Sequence, residues 1–183
     1  MSKIYKEFVV GPVRHTSLIK ELKEIAQFAN EANGQAMFMS VYDFTEDYVD
    51  YAKKNQTVAN YQGSVSISRL FFDIDLGKNG GKTCINKARN LVDELVNKWD
   101  LEPQFIQPWF SGKGFHVITP DFFGFGTGKN IPEKVKNTLT HYFEDIDPVV
   151  YDKIRLLRMG NSKHLQTGLY KIQLTLDELM NLK

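Results

Sequence analysis

Apolar and polar positions along this chain switch repeatedly between the helical and the strand period. After Thr16 and Ser17, the residues Leu18, Leu22, Ile25 and Ala29 recur at helical spacing and Gly34 sits where a C-cap belongs, so the pattern predicts a helix over 17–32. Residues 36–42 are short, apolar and closed by the acidic, polar stretch 43–50, as suits a strand leaving a core. A second strand is predicted through 65–76, with Gly77, Gly80 and Gly81 marking the turn after it. Ile85, Ala88, Leu91, Val92, Leu95, Val96 and Trp99 share one face of a helix over 83–99. Residues 104–109 and 114–119 read as paired strands joined by the small, basic turn Ser111-Gly-Lys-Gly114. Pro132 opens a helix over 132–143, strands follow over 155–159 and 169–175, and Thr175-Leu-Asp-Glu178 has the capping-box pattern of a last helix.

That order lacks the regular βαβ alternation of a doubly wound sheet and predicts an α+β fold with a mixed or antiparallel sheet. The 183 residues suffice for one sizeable core, and no repeat, low-complexity tract or long linker divides them. No run of about 18 apolar residues occurs and the opening MSKIYKEFVV carries Lys and Glu where a signal peptide is apolar, so a cytoplasmic chain without a membrane span is expected. Cys84 is the single cysteine and His15, His116, His141 and His164 are scattered, which provides no spacing for zinc. With 23 basic against 22 acidic residues, net charge neither demands nor forbids a polyanion, and local charge says more. Lys78, Lys82, Lys87 and Arg89 follow one another without an acid, and the stretch 151–171 holds five basic residues against Asp152.

Three clusters carry candidate chemistry. In Phe71-Phe-Asp-Ile-Asp-Leu76 the strand period puts Asp73 and Asp75 on one face and Phe72, Ile74 and Leu76 on the other. A β-prone segment has no folding reason to carry such a pair. Two carboxylates about 4–5 Å apart repel by a few kcal/mol at an effective dielectric near 20, and a divalent cation between them relieves this; a solvated strand face is the plain alternative. Ser111-Gly-Lys-Gly-Phe-His116 offers a hydroxyl, an ammonium and an imidazole around glycines that admit close backbone approach, which suits phosphate oxygens. The same residues would serve an ordinary hairpin turn with a surface Lys and a satisfied core His. The third cluster runs from Asp147 through Arg155, Arg158, Ser162, Lys163 and His164 to Gly168. It reads as an anion site or a basic solvated face, with Asp147 as a functional carboxylate or an N-cap before Pro148. Two glycine-rich stretches, 77–83 and 124–130, miss P-loop spacing, which excludes a Walker-type ATPase.

In this order, an apolar-flanked D-x-D, a small-residue turn ending in His, and an Asp shortly before R-L-L-R and S-K-H-L-Q-T-G, the chain resembles the catalytic core of the archaeo-eukaryotic primase superfamily, which includes PrimPol-type enzymes. The resemblance runs from about Tyr42 to Leu174 and is most specific over 162–172. It implies one catalytic domain over 1–183, with an N-terminal αβ unit over about 1–60 packed on an RRM-like sheet, within about 61–183, that bears the catalytic carboxylates. It implies that Asp73, Asp75 and Asp147 ligate two divalent metals, Mg²⁺ or Mn²⁺, and that Ser111, Lys113, His116, Arg158, Ser162 and His164 hold the triphosphate of an incoming NTP or dNTP. Lys82, Lys87, Arg89 and Lys163 are the candidates for contact with a single-stranded DNA template.

Two departures are visible: Gln166 stands where relatives often have Lys, and the zinc-binding insertion of many relatives is missing. The expected activity is template-dependent nucleotidyl transfer, as a primase or primase-polymerase. The alternatives are a primer-extending repair polymerase that cannot initiate and a non-catalytic RRM-type binding module. The latter is disfavoured by the intact carboxylates and His116 and by the absence of the RRM aromatic signature. The chain is short for a complete primase, which suggests a helicase or a helical accessory domain as companion.

Overall fold

The structure, a computed structural model, describes residues 3–11, 18–25, 27, 34–76 and 81–183. In chain order its first half holds β1 (Tyr5–Val10), β2 (Leu18–Glu21), β3 (Met37–Ser40), α1 (Glu46–Asn55), β4 (Val65–Ser66), β5 (Arg69–Ile74) and α2 (Gly81–Asn97). The second half holds β6 (Gln107–Phe110), β7 (Phe115–Pro120), β8 (Thr127–Gly128), α3 (Ile131–Tyr142), β9 (Leu156–Arg158), β10 (Ile172–Gln173) and α4 (Leu176–Asn181), with short 3₁₀ turns between. Among the described residues the strands form two four-stranded antiparallel sheets, ordered β2-β1-β3-β9 and β10-β6-β7-β5, and a two-stranded ladder of β4 with β8. The predicted α+β class with antiparallel sheets is what forms. No described helix is long and apolar enough to cross a membrane.

The two faces of the second sheet differ because the strand period separates their side chains. Leu70, Phe72 and Ile74 on β5 and Val117 on β7 are buried in the main core with Cys84, Ala88, Leu91, Val92 and Leu95 of α2. Phe72 meets Phe143, just past α3, edge to face at 4.9 Å. Burying side chains of this size contributes roughly 1.5–3 kcal/mol each, so the helices are fixed on this back face. The opposite face of β5, β6 and β7 carries Phe71, Asp73, Trp109, His116 and Ile118, and it looks across a cleft toward the first sheet.

In the sheet order β5 is an edge strand, and alternate residues on it turn their backbone groups away from β7. Those groups need partners, because buried peptide groups without them are costly. The segment 147–151 supplies them. The Tyr151 hydroxyl donates to the Phe71 carbonyl (2.7 Å) and accepts from the Phe71 N–H (3.1 Å), while the Asp147 N–H donates to the Asp73 carbonyl (3.0 Å). Tyr151 is fully buried and is itself held by the Tyr42 hydroxyl, which donates to its carbonyl at 2.8 Å.

Several predicted elements form with small shifts, including both hairpin strands and the last helix, whose Thr175/Glu178 capping box is present. The helix expected over 17–32 does not begin as one. Leu18–Glu21 is a strand in register with β1, from Phe8 opposite Leu18 to Tyr5 opposite Glu21, and Leu22–Glu24 is a 3₁₀ turn. Ladder hydrogen bonds to β1 outweigh the helical spacing there; residues 17, 26 and 28–32 of that expectation lie outside the described residues, as do residues 77–80 of the predicted glycine turn, whose Gly81 begins α2. The strand expected over 65–76 is two strands with different partners: β4 pairs with β8 and β5 with β7. It ends at Ile74, opposite Phe115, because Gly114 beyond it leads into the turn; Asp75 lies outside the ladder and is exposed.

If the Tyr151 hydroxyl substitutes for a missing strand, Tyr151→Phe leaves a buried N–H and C=O of Phe71 without partners. Its unfolding free energy is then expected to fall by about 2–4 kcal/mol in urea, with an unchanged slope. A loss below about 0.5 kcal/mol would show that the edge is satisfied in another way.

Candidate active site

The pairing register lines up Asp73 with His116, His116 with Trp109, and Trp109 with Gln173 across four strands. His116 Nε2 lies 3.4 Å from Asp73 Oδ1. On the other side of the ring, Lys171 Nζ sits 2.8 Å from His116 Nδ1 and donates to the Arg158 carbonyl at 2.8 Å. Lys171 is only 2% exposed and its ammonium lies 5.4 Å from the centre of the Trp109 ring. Arg158, also buried, donates from Nη1 to the Ser162 carbonyl at 2.9 Å. A carboxylate, an imidazole, an ammonium and a guanidinium thus share one poorly solvated corner.

Their electrostatics follow from that crowding. Burial pushes the Asp73 carboxyl up to about 6, and the charges of Asp75 and Asp147 push the same way, against Lys171 and Arg155. Burial, then the cations Lys171 and Arg158, hold His116 well below its ordinary value, so the ring is neutral. Burial and Arg158 bring Lys171 down to about 7, against the pull of Asp73.

The backbone bond from Asp147 to the Asp73 carbonyl sets the third-cluster acid beside the first. Asp147 also does what an N-cap does: its Oδ1 accepts from the Val149 N–H at 2.9 Å. Asp73, Asp75 and Asp147 are near enough to repel one another, and hard carboxylate oxygens suit a divalent cation of the Mg²⁺ or Mn²⁺ type. Among the described residues, however, no three side chains of His, Cys, Asp or Glu converge as they stand on one point that a metal could occupy. The donor chemistry fits, and the backbone brings its carriers together.

The second cluster forms the predicted turn. Ser111 and Gly114 close it through N–H to O at 2.8 Å, Ser111 Oγ accepts from the Gly114 N–H at 3.0 Å, and Gly112 takes φ +85°. Gly114 is required by packing, since a Cβ there would collide with the Ile74 carbonyl oxygen beside Asp75. Lys113 is exposed at the tip. Residues 163–170 fold onto this turn: Thr167 Oγ1 donates to the Gly112 carbonyl at 3.2 Å, and His164 Nδ1 accepts from the N–H groups of Gln166 and Thr167. Burial, with Arg158 and Lys113, lowers the pKa of His164. Ser162 is buried, and its hydroxyl donates to the Met159 carbonyl at 2.7 Å.

The helix α2 cations are placed differently. Lys87 pairs with Asp145 at 2.5 Å, and Arg89 donates to the carbonyls of Leu179 (3.0 Å) and Leu182 (2.5 Å), which holds α4. Both belong to the helix that covers the back face, away from His116. Lys82 is exposed at the start of that helix, and Lys163 is exposed beside Tyr170, 5.6 Å from its ring centre.

Sequence reasoning passed over Lys171 and the cleft. The cleft, about 490 Å³, is lined by Phe71, Ile118 and Trp109 of the second sheet and by Lys6, Arg69, Arg158 and Lys171. Lys6 is neutralised there by Asp43 at 2.9 Å. A signal for Lys171 existed: a lone cation between Tyr170 and Ile172 in a β-prone run is as unexplained as Asp73 between Phe72 and Ile74.

The raised pKa of Asp73 makes the stability of the metal-free protein depend on pH. A carboxyl whose folded pKa is raised from its ordinary 3.8 to about 6 costs nothing when protonated in both states and costs most once it is ionised in both. Wild type should therefore lose stability relative to Asp73→Asn as pH rises from about 4 to above 6, with the variant ahead by up to about 3 kcal/mol at pH 8. Parallel stability profiles of the two proteins in EDTA would refute this.

No protein-family model matches the sequence, and no curated protein matches it. Among solved structures, the chain is similar to the AEP domain of the primase-polymerase (PrimPol) of cyanophage S-2L, with a TM-score of 0.46 and 12% identity over 94% of this chain and 80% of that one. It is also similar to the polymerase domain of Mycobacterium tuberculosis ligase D in complex with DNA, with a TM-score of 0.51 and 14% identity over 95% of this chain. The match spans 64% of that polymerase-domain chain. At such identities the likeness is one of fold alone: this chain shares the fold of that polymerase domain.

Proposed function

We propose that this chain is a template-dependent nucleotidyltransferase acting on single-stranded DNA, a primase or primase-polymerase catalytic domain spanning 1–183. The observation that carries this reading is the meeting of the three sequence clusters at one corner: Asp147 on Asp73 through the backbone, His116 against Asp73, and Arg158 and Lys171 behind His116. The fold, shared with a polymerase domain bound to DNA, supports it. In this reading the β10-β6-β7-β5 sheet is the RRM-like one, and the unit over about 1–60 packs on it with β9 added to its sheet.

The nucleotide lies in the cleft between the sheets, its triphosphate toward Asp73. Arg158 and Lys113 supply charge for the phosphate oxygens, His116 meets them beside Asp73, and Ser111, Ser162 and His164 shape the turn and hairpin that present them. The carboxylates of Asp73, Asp75 and Asp147 hold two divalent ions, Mg²⁺ or Mn²⁺, whose charge lowers the pKa of the attacking hydroxyl and neutralises the pyrophosphate leaving group. Asp75, exposed past the end of β5, has the freedom to turn toward Asp73. Lys82 and Lys163 offer exposed charge to a template, and Tyr170 beside Lys163 offers a ring on which a base can stack.

The test is incorporation of labelled nucleotides of both sugar types on single-stranded DNA with Mg²⁺ or Mn²⁺. Wild type is expected to synthesise, and Asp73→Asn and Asp147→Asn to lose at least about a thousandfold in rate while keeping a cooperative melt. Product without added primer identifies a primase; product only with primer identifies an extending polymerase. Near wild-type synthesis by either variant would remove the carboxylates from the mechanism.

A further inference from the structure

Residues 162–171 leave large apolar side chains in water at a place where the backbone is tightly held. They form a short hairpin in which the Lys171 N–H donates to the Ser162 carbonyl (3.0 Å), the His164 N–H to the Leu169 carbonyl (2.8 Å) and the Gly168 N–H to the His164 carbonyl (2.9 Å). Gly168 turns the tip at φ +69°, which glycine adopts without strain. On one side the hairpin leans on the turn 111–114: a Cβ on Gly112 would stand 3.2 Å from His164 Cβ and 3.5 Å from Leu169 Cβ, and Thr167 Oγ1 donates to the Gly112 carbonyl. Elsewhere Tyr170 leans on Gly34, where a Cβ would stand 3.1 Å from its hydroxyl. Despite these anchors Leu165 is 52%, Leu169 50% and Tyr170 43% exposed.

A single exposed leucine is ordinary, but three large side chains within six residues of an anchored hairpin offer a surface that the core does not use. The charge around it says what it meets. Residues 153–176 hold five Lys and Arg and no acid, and exposed Lys163, bridged to Tyr170, has its ammonium 5.6 Å from that ring. A partner must therefore set flat apolar faces and negative charge side by side. Single-stranded DNA does this, whereas stacking in a duplex covers the base faces. The hairpin is also continuous with the corner that holds the carboxylates, since the Ser162 carbonyl accepts from Arg158 and Gly114, in the turn it leans on, abuts Asp75.

We propose that the hairpin 162–171 is a clamp for single-stranded DNA, in which Leu165 and Leu169 cover the faces of unpaired bases and Lys163 meets a neighbouring phosphate. The proposal rests on the polymerase reading for the identity of the ligand, and adds to it an apolar contact that charge alone does not supply. Leucine covers any base face and reads no base edge, so the grip is independent of sequence, as suits a strand that is to be copied.

The experiment is fluorescence anisotropy of labelled oligo(dT) with the full chain at several salt concentrations, with a duplex of equal length as competitor. Wild type is expected to prefer the single strand. The double variant Leu165→Ser/Leu169→Ser should bind about tenfold more weakly with an unchanged salt dependence, while Leu165→Met/Leu169→Met, which keeps the apolar surface, should stay within about twofold of wild type. Lys163→Gln should flatten the slope of log affinity against log salt by about 0.7, the share of one single-strand phosphate contact. Both leucines already face water, so their variants should melt as wild type does. Unchanged oligo(dT) affinity in the folded serine variant, or a preference for duplex, overturns the clamp; the polymerase reading survives that result where wild type still synthesises. If the serine variant fails to fold, Lys163→Gln decides, and an unchanged salt slope overturns the proposal. A wild type that grips oligo(dT) through the leucines but makes no product sinks the polymerase reading and leaves the clamp standing. A wild type that binds no DNA overturns both.

Discussion

The site depends on how the free edge of β5 is finished. A strand at the rim of a sheet must have its outward peptide groups satisfied, and here the segment 147–151 does so in place of a fifth strand, with one tyrosine hydroxyl serving both groups of Phe71 and one backbone N–H serving Asp73. That repair is far-reaching because of what the segment carries. Asp147 is 74 positions from Asp73 in the chain, and the same hydrogen bond that closes the edge brings the two acids together. Structure and candidate chemistry therefore share one cause. A loop that closed the edge with different spacing would leave the sheet intact and the carboxylates apart.

Around that junction the protein gathers charges that oppose one another when no ligand is present. Asp73 is pushed toward protonation by burial and by its acidic neighbours, while Lys171 is pushed toward neutrality by burial and by Arg158. Such a corner gives up folding stability for readiness to bind a species of mixed charge, cationic where it meets the carboxylates and anionic where it meets Arg158 and His116. A nucleoside triphosphate with divalent cations has that character.

Much of this was legible in the sequence, and the physical reasons for what was not are specific. Asp73 between Phe72 and Ile74 announced itself because burial and charge conflict there, and the turn 111–114 because only small residues admit so close a pass. The last helix followed from local chemistry, the Thr175/Glu178 capping box. What failed depended on distant partners. Leu18–Glu21 has helical spacing but a strand beside it, and β1 hides its period because Lys6 and Glu7 are buried with partners on β3 and α1, Ser40 and Tyr48. The acidic stretch after Asp43 is in fact helix α1, with Glu46 and Asp47 at its start and Lys53 and Lys54 at its end, where the helix dipole favours them. Arg89, in a basic run that suggested a template groove, meets carbonyls 90 and more positions away, which no local pattern reveals. Lys171 escaped notice because its meaning comes from His116, on another strand.

The most direct test of the account is the affinity of Mn²⁺ for the protein in the presence of a nucleoside triphosphate, read by electron paramagnetic resonance for wild type, Asp73→Asn, Asp147→Asn and Asp145→Asn. The edge-closing geometry predicts that replacing Asp73 or Asp147 weakens Mn²⁺ binding at least about tenfold. It also predicts that replacing Asp145, two residues from Asp147 but paired with Lys87, leaves binding unchanged. Equal affinity in all four proteins, or an effect of Asp145 as large as that of Asp147, would contradict the claim that the repair of β5 builds the site.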